Sequence, residues 1–393
     1  MGWAVAHPIF LAKVVRVNNF SYICATMRVV NIFLVTVVGV CLILALSTSC
    51  ASRDSSAEMA EVEQIDEPEI TSDTITLMFG GDLMQHIPQV NAARRGSGFD
   101  YRPSFKYVAP MFREADVAVI NFETTITRGS RYTGYPLFRS PVALADALSY
   151  MGVDVALLAN NHCLDGGPAG VATTIEEFQL RGIATTGVFR SAEERDSSNV
   201  VYFERRGVRF ALVNYTYSMN GLVPTKGVVV NCIGEEQIKR DISTINRDSV
   251  DCLIACMHWG VEYQRRPNAE QKELAQMLRQ QGVDIIIGSH PHVVQGYEVD
   301  SAGVVFYSLG NFVSNQRKRY CNGGLIAEVK VMRCDTIDNL QYRAMAHPVY
   351  VTKPGFTLLP KFVGDTIALS QSSRLNYERF MSDTESLLSA KSK

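Results

Sequence analysis

The stretch Asp284-Ile285-Ile286-Ile287-Gly288-Ser289-His290-Pro291-His292-Val293-Val294-Gln295-Gly296-Tyr297-Glu298 ends a short β-branched run at a glycine and follows it at once with two imidazoles. Neutral imidazole is the commonest protein metal ligand, and a His-x-His pair leaving a strand can aim both rings into one cleft. The bland alternative is two surface histidines in a turn. What separates the two readings is whether the rest of the chain supplies matching donors.

Several other segments repeat this grammar of an apolar strand followed by polar side chains. Thr74–Phe79 reads as a strand broken by Gly80-Gly81, with Asp82 where ligands collect beyond strand ends in open α/β sheets. Asp82 is a metal carboxylate on that reading, or else the cap of the next turn. Asp116–Phe122 runs into Glu123, a second oxygen donor. Asp154–Ala159 ends in Asn160-Asn161-His162-Cys163-Leu164-Asp165, where Asn161 offers a neutral oxygen and His162 can exchange a proton near neutral pH. Asp165 is placed to orient that imidazole. Ser249–Met257 delivers His258. Arg139, in the loop Tyr135–Pro141, either grips an anionic substrate with its planar fork or braces the loop backbone. Of seven histidines, four (162, 258, 290 and 292) fall with Asp82, Glu123 and Asn161 just after predicted strand ends, which favours one ligand cluster over unrelated turns.

The elements that must position these groups alternate strand and helix. Pro103–Glu114 carries Phe105, Val108, Met111 and Phe112 at helical spacing, and Val142–Met151 and Gly166–Arg181 also read as helices. Val200–Glu204 and Val208–Asn214 form a hairpin across Arg205-Arg206-Gly207, so the sheets are not all parallel. Tyr215–Gly234 reads as a loop with little chemical signal. Pro267–Gly282 is a helix. Val304–Ser308, Gly324–Met332 and Tyr342–Val351 are strands, and Thr366–Lys393 is a surface helix that frays. No internal repeat or long linker follows Asp73, so one large domain is expected.

The ordered run of Gly81-Asp82-Leu83-Met84, Asn121-Phe122-Glu123, Phe138-Arg139-Ser140-Pro141, Asn160-Asn161-His162, His258-Trp259-Gly260-Val261-Glu262-Tyr263, Gly288-Ser289-His290-Pro291-His292 and Ser308-Leu309-Gly310-Asn311-Phe312 resembles the calcineurin-like metallophosphoesterases. The closer resemblance is to their CapA-type poly-γ-glutamate capsule synthesis branch. It implies a four-layer α/β/β/α sandwich with mixed sheets. It also implies that Asp82, Glu123, Asn161, His258, His290 and His292 hold two divalent cations, with Glu123 bridging and His162 donating a proton to the leaving group. Such mixed nitrogen and oxygen ligands suit Mn, Fe or Zn. One departure stands out. The superfamily usually places a histidine two residues after the first aspartate, and here that place is Met84, a poor ligand for a hard cation. His86 could substitute only if the strand has ended. The resemblance leaves two functions open. One is a metal-dependent hydrolase or transferase acting on an anionic polymer or phosphoester, and the other a non-enzymatic polymer-binding part of a capsule synthesis or export complex.

The chain has 393 residues with a formal net charge of −2, which gives no reason to expect a nucleic-acid partner. None of its nine cysteines forms a Cys-x-x-Cys zinc pattern; Cys252 and Cys256 read as core packing, and a disulfide among those after Cys50 stays open. The expected organisation is a leader over 1–50, a polar tether over 51–73, the main domain over 74–360 and a helical tail over 361–393. Met27-Arg28, the apolar run Val29–Leu46 and Ser47-Thr48-Ser49-Cys50 resemble a lipoprotein signal with Cys50 as the lipidated residue, the alternatives being an uncleaved anchor or plain cleavage. A lipid or protein anchor would place the domain in a bacterial envelope, outside the inner membrane. Residues 1–26 precede a good initiator methionine, so Met27 reads as the true start. A native amino terminus or lipid-modified peptide mapped upstream of Met27 by mass spectrometry would overturn that reading.

Overall fold

The computed structural model describes residues 74–334 and 337–389; the expected leader, Cys50 and the tether lie outside them. Among the described residues, two sheets carry the architecture. The first has eight strands, and the Ile75–Leu83 strand lies inside it. That strand runs parallel to Val117–Phe122 on one side and antiparallel to Gly323–Cys334 on the other. Beyond these lie Val155–Leu157 and Ala184–Thr186 at one edge and Ile337–Val351 and Leu358–Pro360 at the other, while Asn311–Val313 adds a further parallel pairing to Ile75–Leu83. The second sheet has six strands. Its four middle ones, Val208–Thr216, Cys252–His258, Ile285–Ser289 and Gly303–Phe306, are parallel, and Val201–Arg205 and Tyr297–Asp300 close its edges in antiparallel fashion.

Alternation along the strands sorts side chains to the two faces of each sheet. Ile75, Leu77, Phe79, Val117 and Val119 turn inward and pack against Leu212, Ile254, Cys256, Ile285, Ile287 and Phe306 of the second sheet. On the outer face of the first sheet, Met78, Ala118 and Ile120 meet Phe105, Phe112, Leu148, Val171 and Phe178 from helices. On the outer face of the second, Ala211, Val213, Leu253 and Ala255 meet Ile238, Ile242 and Leu278. Three apolar seams thus separate four layers, the expected α/β/β/α sandwich with mixed sheets.

Several expectations shift in detail. The segment read as one helix over 103–114 is two short ones, Arg102–Phe105 and Ala109–Glu114, each opened by a proline. Helix Gln371–Ser389 is more than surface dressing, since Tyr377, Phe380 and Met381 bury against Tyr350. Cys252 and Cys256 lie in the inter-sheet core as expected. Cys163, Cys232, Cys252, Cys256 and Cys321 are free thiols, so no disulfide joins any of them.

The most consequential difference lies at Asp82, expected just beyond a strand that Gly80-Gly81 would break. The strand instead continues to Leu83, and its register against Val117–Phe122 skips from Gly80–Ile120 to Asp82–Asn121. Gly81 is the extra residue of a bulge. Gly80 pairs with Ile120, which packs on the helical side, and one unbulged step of two residues would leave Asp82 facing that side too. With the bulge, Asp82 turns inward beside Asn121. Glycine is required because the chain passes so close to Gly310 that a β-carbon on residue 81 would stand 2.1 Å from its carbonyl oxygen. Gly81→Ala should therefore lower stability by about 1–3 kcal/mol, the range for forced overpacking, read from urea unfolding midpoints. An unchanged midpoint would show that the bulge relaxes freely.

Candidate metal centre

Every side chain nominated from the sequence as a ligand lies at the carboxyl end of a strand or in the turn after it. Asp82 is held in the bulged strand, Glu123 follows Val117–Phe122 directly, and His258 is the last residue of its own strand. Asn161 and His162 lie in the turn after Val155–Leu157, and His290 and His292 follow Ile285–Ser289. All seven are buried, Asp82, Glu123 and His258 completely.

His290 and His292 have φ of 98° and 58°, unusual for residues with a β-carbon. What holds the chain there is Asp82. The His290 backbone N–H donates to both of its carboxylate oxygens (3.2 and 3.3 Å), and His292 Nδ1 lies 2.9 Å from Oδ2. Asn121 Nδ2 donates to Oδ1 at 2.8 Å. With Nδ1–H turned to Asp82, the second ring nitrogen of His292 stands with its lone pair 3.8 Å from Glu123 Oε1.

Glu123 is the centre of the arrangement. Neither of its oxygens has a hydrogen-bond partner. His258 Nε2 lies 3.9 Å from the same Oε1 and 3.0 Å from Asn161 Oδ1. The Asn161 amide nitrogen is turned away, donating to Asn220 Oδ1 at 3.4 Å, and Tyr217 also hydrogen-bonds Asn161, so the carbonyl oxygen is presented inward. His290 Nδ1 is buried and unpartnered. Donors on adjacent corners of an ion bound at about 2.1 Å stand roughly 3–3.5 Å apart; the 3.0 Å between His258 and Asn161 falls there, and the 3.8 and 3.9 Å from Glu123 Oε1 are somewhat wider. Asp82, Glu123 and His292 bring one ligand atom each within 4.8 Å of one another. Glu123, His258 and Asn161 form a second lobe that shares Glu123, beside the free nitrogen of His290.

The electrostatics agree with the geometry. Burial, reinforced by the Asp82 charge, holds Glu123 well above the usual carboxylate range. Burial keeps His258 well below the usual imidazole value and, with His292 nearby, brings His290 down to about 3. Neutral imidazoles are ready to bind a cation, whereas Glu123 must give up its proton as one arrives, so binding there is coupled to proton release.

His162 stands at the margin of these lobes. Its Nδ1 lies 2.8 Å from Asp165 Oδ2, which also accepts the Phe138 backbone N–H at 2.6 Å. An acceptor-only carboxylate fixes the proton on Nδ1, so any exchange with substrate takes place at Nε2. Asp165 thus lies within hydrogen-bond reach of the imidazole, where it can orient the ring. Phe138 presents its ring to His162 (centroids 4.6 Å apart) and to His86 (5.0 Å), and it walls the pair apart. His86 does not replace the absent histidine. It is outside the cluster, its Nδ1 accepts the Asn315 N–H at 3.3 Å, and burial lowers its pKa to about 4. Arg139 is half-buried, with Nε donating weakly to the Asp165 carbonyl at 3.4 Å, so it contacts loop backbone beside the proposed acid.

Sequence reasoning assigned no role to four participants, Asn220 beside Asn161 among them. Asn121 clamps Asp82, Tyr217 packs 4.4 Å from the His290 ring, and Tyr263 packs 6.2 Å from His292 with Lys318 3.5 Å from its own centroid. The loop read as carrying little chemical signal supplies both Tyr217 and Asn220.

Comparison with known proteins places the chain in a family. Residues 76–316, more than half of the chain, match the family model described as bacterial capsule synthesis protein PGA_cap. The chain belongs to that capsule synthesis family. It is 29% identical over 252 residues to the PGA biosynthesis protein CapA of Bacillus subtilis, an alignment covering 63% of this chain and 65% of that one. It is 30% identical over 258 residues to the capsule biosynthesis protein CapA of Bacillus anthracis, covering 62% and 61%. The match thus spans just under two thirds of the length of these family members. Among solved structures, the NAD nucleotidase of Haemophilus influenzae resembles it at a TM-score of 0.46 and 10% identity, covering 79% of this chain and 62% of that one.

A carboxyl whose pKa is raised by folding stabilises the fold fully below its unfolded value of about 4.3 and loses that contribution as pH rises toward the folded value. Metal-free wild type should therefore fall progressively behind Glu123→Gln in unfolding midpoint as pH rises above the unfolded value, because the buried carboxyl resists ionisation. Excess divalent cation should reverse the ranking by stabilising only the wild type. Parallel pH curves for the two metal-free proteins would contradict the unsatisfied carboxylate.

Proposed function

We propose that this protein is a divalent-metal-dependent hydrolase or transferase of the capsule synthesis machinery. In this reading it is tethered in the bacterial envelope and acts on an anionic polymer of the poly-γ-glutamate type or on a phosphoester. The observation that carries it is Glu123, fully buried with both oxygens unpartnered, between two lobes of nitrogen and oxygen donors. Two lobes sharing one carboxylate suit a pair of cations, and the mixed donors favour Mn, Fe or Zn. When bound, such a pair supplies Lewis acidity and lowers the pKa of water.

The remaining roles belong to the chain's own residues. Asp82 holds the His290-Pro291-His292 turn in place and leaves the second nitrogen of His292 facing Glu123. Asn121 fixes the Asp82 carboxylate. His162, with Nδ1–H tied to Asp165, offers Nε2 as the site from which a proton passes to the leaving atom. Phe138 excludes water from one side of that imidazole. Arg139, beside Asp165, lies where an anionic substrate group would approach the acid. The names of the Bacillus family members support a polymer substrate, and the leader pattern before Cys50 supports the tether. Among the described residues no helix is long and apolar enough to cross a membrane, so an anchor would be supplied by the chain before residue 74.

His162→Ala should leave metal content unchanged while lowering turnover by about 10²–10⁴-fold, the usual contribution of a positioned proton donor. The assay pairs elemental analysis of purified protein with hydrolysis of model phosphoesters and γ-glutamyl peptides. If Mn-loaded wild type hydrolyses neither, yet ligand substitutions abolish polymer binding, the protein is instead a non-enzymatic polymer-binding component.

A further inference from the structure

We propose that the side-chain oxygen of Asn311 is an additional ligand for the cation at Asp82, filling the place in the donor set that Met84 leaves open. The inference rests on the metal-centre reading above and extends it to a residue from a different strand.

Asn311 opens the short strand Asn311–Val313, which runs parallel to Ile75–Leu83 with Asn311 in register with Asp82. On the other flank of the same strand, Asn121 is in register with Asp82. Three polar residues therefore stand in one row across neighbouring strands, where side chains at equivalent positions share a face. The register then passes to Leu83–Val313, which makes Phe312 the extra residue of a bulge; Phe312 packs on the helical side with Phe105 and Phe112, while Asn311, paired with Asp82, takes the inter-sheet side with it.

The two amides behave differently. Asn121 gives its N–H to Asp82. Asn311 cannot, because its Nδ2 donates to the Cys321 carbonyl at 3.0 Å and to Gln316 Oε1 at 2.8 Å. A backbone carbonyl only accepts, so the Cys321 bond settles which end of the amide is nitrogen. That leaves Oδ1, on a residue with no exposed surface, without any partner. A buried amide oxygen without a donor costs free energy unless something positive meets it. Here it is in register with a carboxylate that is itself an acceptor, and a cation satisfies both. Neutral amide oxygen is a suitable donor for Mn and similar ions, as Asn161 is in the other lobe.

Met84 does not compete for that place. It is buried two residues after Asp82, its N–H is held by the Val313 carbonyl, and its thioether is a poor donor to a hard cation. Gln85 Oε1 is also buried and unpartnered, but Gln85 lies past the end of the Ile75–Leu83 strand and no register places it beside Asp82.

The test is Mn titration of the full-length protein, followed by calorimetry and electron paramagnetic resonance, for wild type, Asn311→Ala and Gln316→Ala. The expected result is that Asn311→Ala weakens one Mn site by at least about tenfold, as loss of a coordinating-shell contact does. Gln316→Ala, which removes one support of the amide nitrogen but leaves Oδ1, should retain wild-type affinity. Equal affinities in wild type and Asn311→Ala, or an equal loss in both variants, would overturn the assignment. A crystal structure of the Mn-bound wild type decides it independently of any folding defect. Asn311 Oδ1 in the coordination sphere supports the proposal, whereas Gln85 or only water in that position refutes it. If the wild type binds no Mn at all, the metal-centre reading itself has failed, and this inference with it.

Discussion

Glu123 sets the terms for the molecule. An ionised carboxylate removed from water with no donor to either oxygen is one of the least favourable arrangements a fold can hold, so a carboxyl placed there either stays protonated or faces a cation. The groups around it are arranged for the second outcome. His258 and His290 are held neutral, so their lone pairs are available. The Asn161 amide is turned so that its oxygen faces inward, and Asp82 brings a second negative charge close by. Each would be a liability in an ordinary core.

The walls that keep this carboxylate dry belong to both sheets, and a small backbone irregularity lets them meet. Strand parity would send Asp82 to the helical side, away from the histidines of the second sheet. The bulge at Gly81 reverses that parity for the last residues of the strand, and the approach of Gly310 admits no side chain there. Asp82 then does two things at once. It contributes a carboxylate, and through three hydrogen bonds it holds His290 and His292 at backbone angles that cost about 1–3 kcal/mol each elsewhere. Unfavourable local geometry is thus concentrated at the point of function and supported by three apolar seams that are otherwise regular.

Much of this was legible in the chain. Glu123, Asn161, His162, His258, His290 and His292 were visible because each follows an apolar run, and strand ends are where α/β folds gather polar groups. The four-layer architecture followed from the resemblance those motifs carry. Asp82 was nominated for the wrong reason, since Gly80-Gly81 reads as a chain break, whereas a bulge depends on where Gly310 falls in space. The single helix expected over 103–114 failed because Pro103 and Pro110 each open a new short helix. Asn220 and Tyr217 were invisible for another reason. Asn220 supports Asn161 across 59 positions of sequence, and no local pattern marks such a contact. Asn311 was seen only as part of a glycine-containing motif, because an unpartnered oxygen is a property of its surroundings.

The division of ligands between the sheets also bears on how the chain matures. Asp82, Glu123 and Asn161 come from the first part of the described chain, whereas His258, His290 and His292 arrive only when the second sheet has formed and docked. A chain synthesised only as far as the second sheet already holds all six groups, yet the first sheet still lacks its strands from Asn311 onward, so the centre closes only when the carboxyl-terminal strands arrive. On the metal-dependent reading proposed above, a bound ion would mark completed assembly.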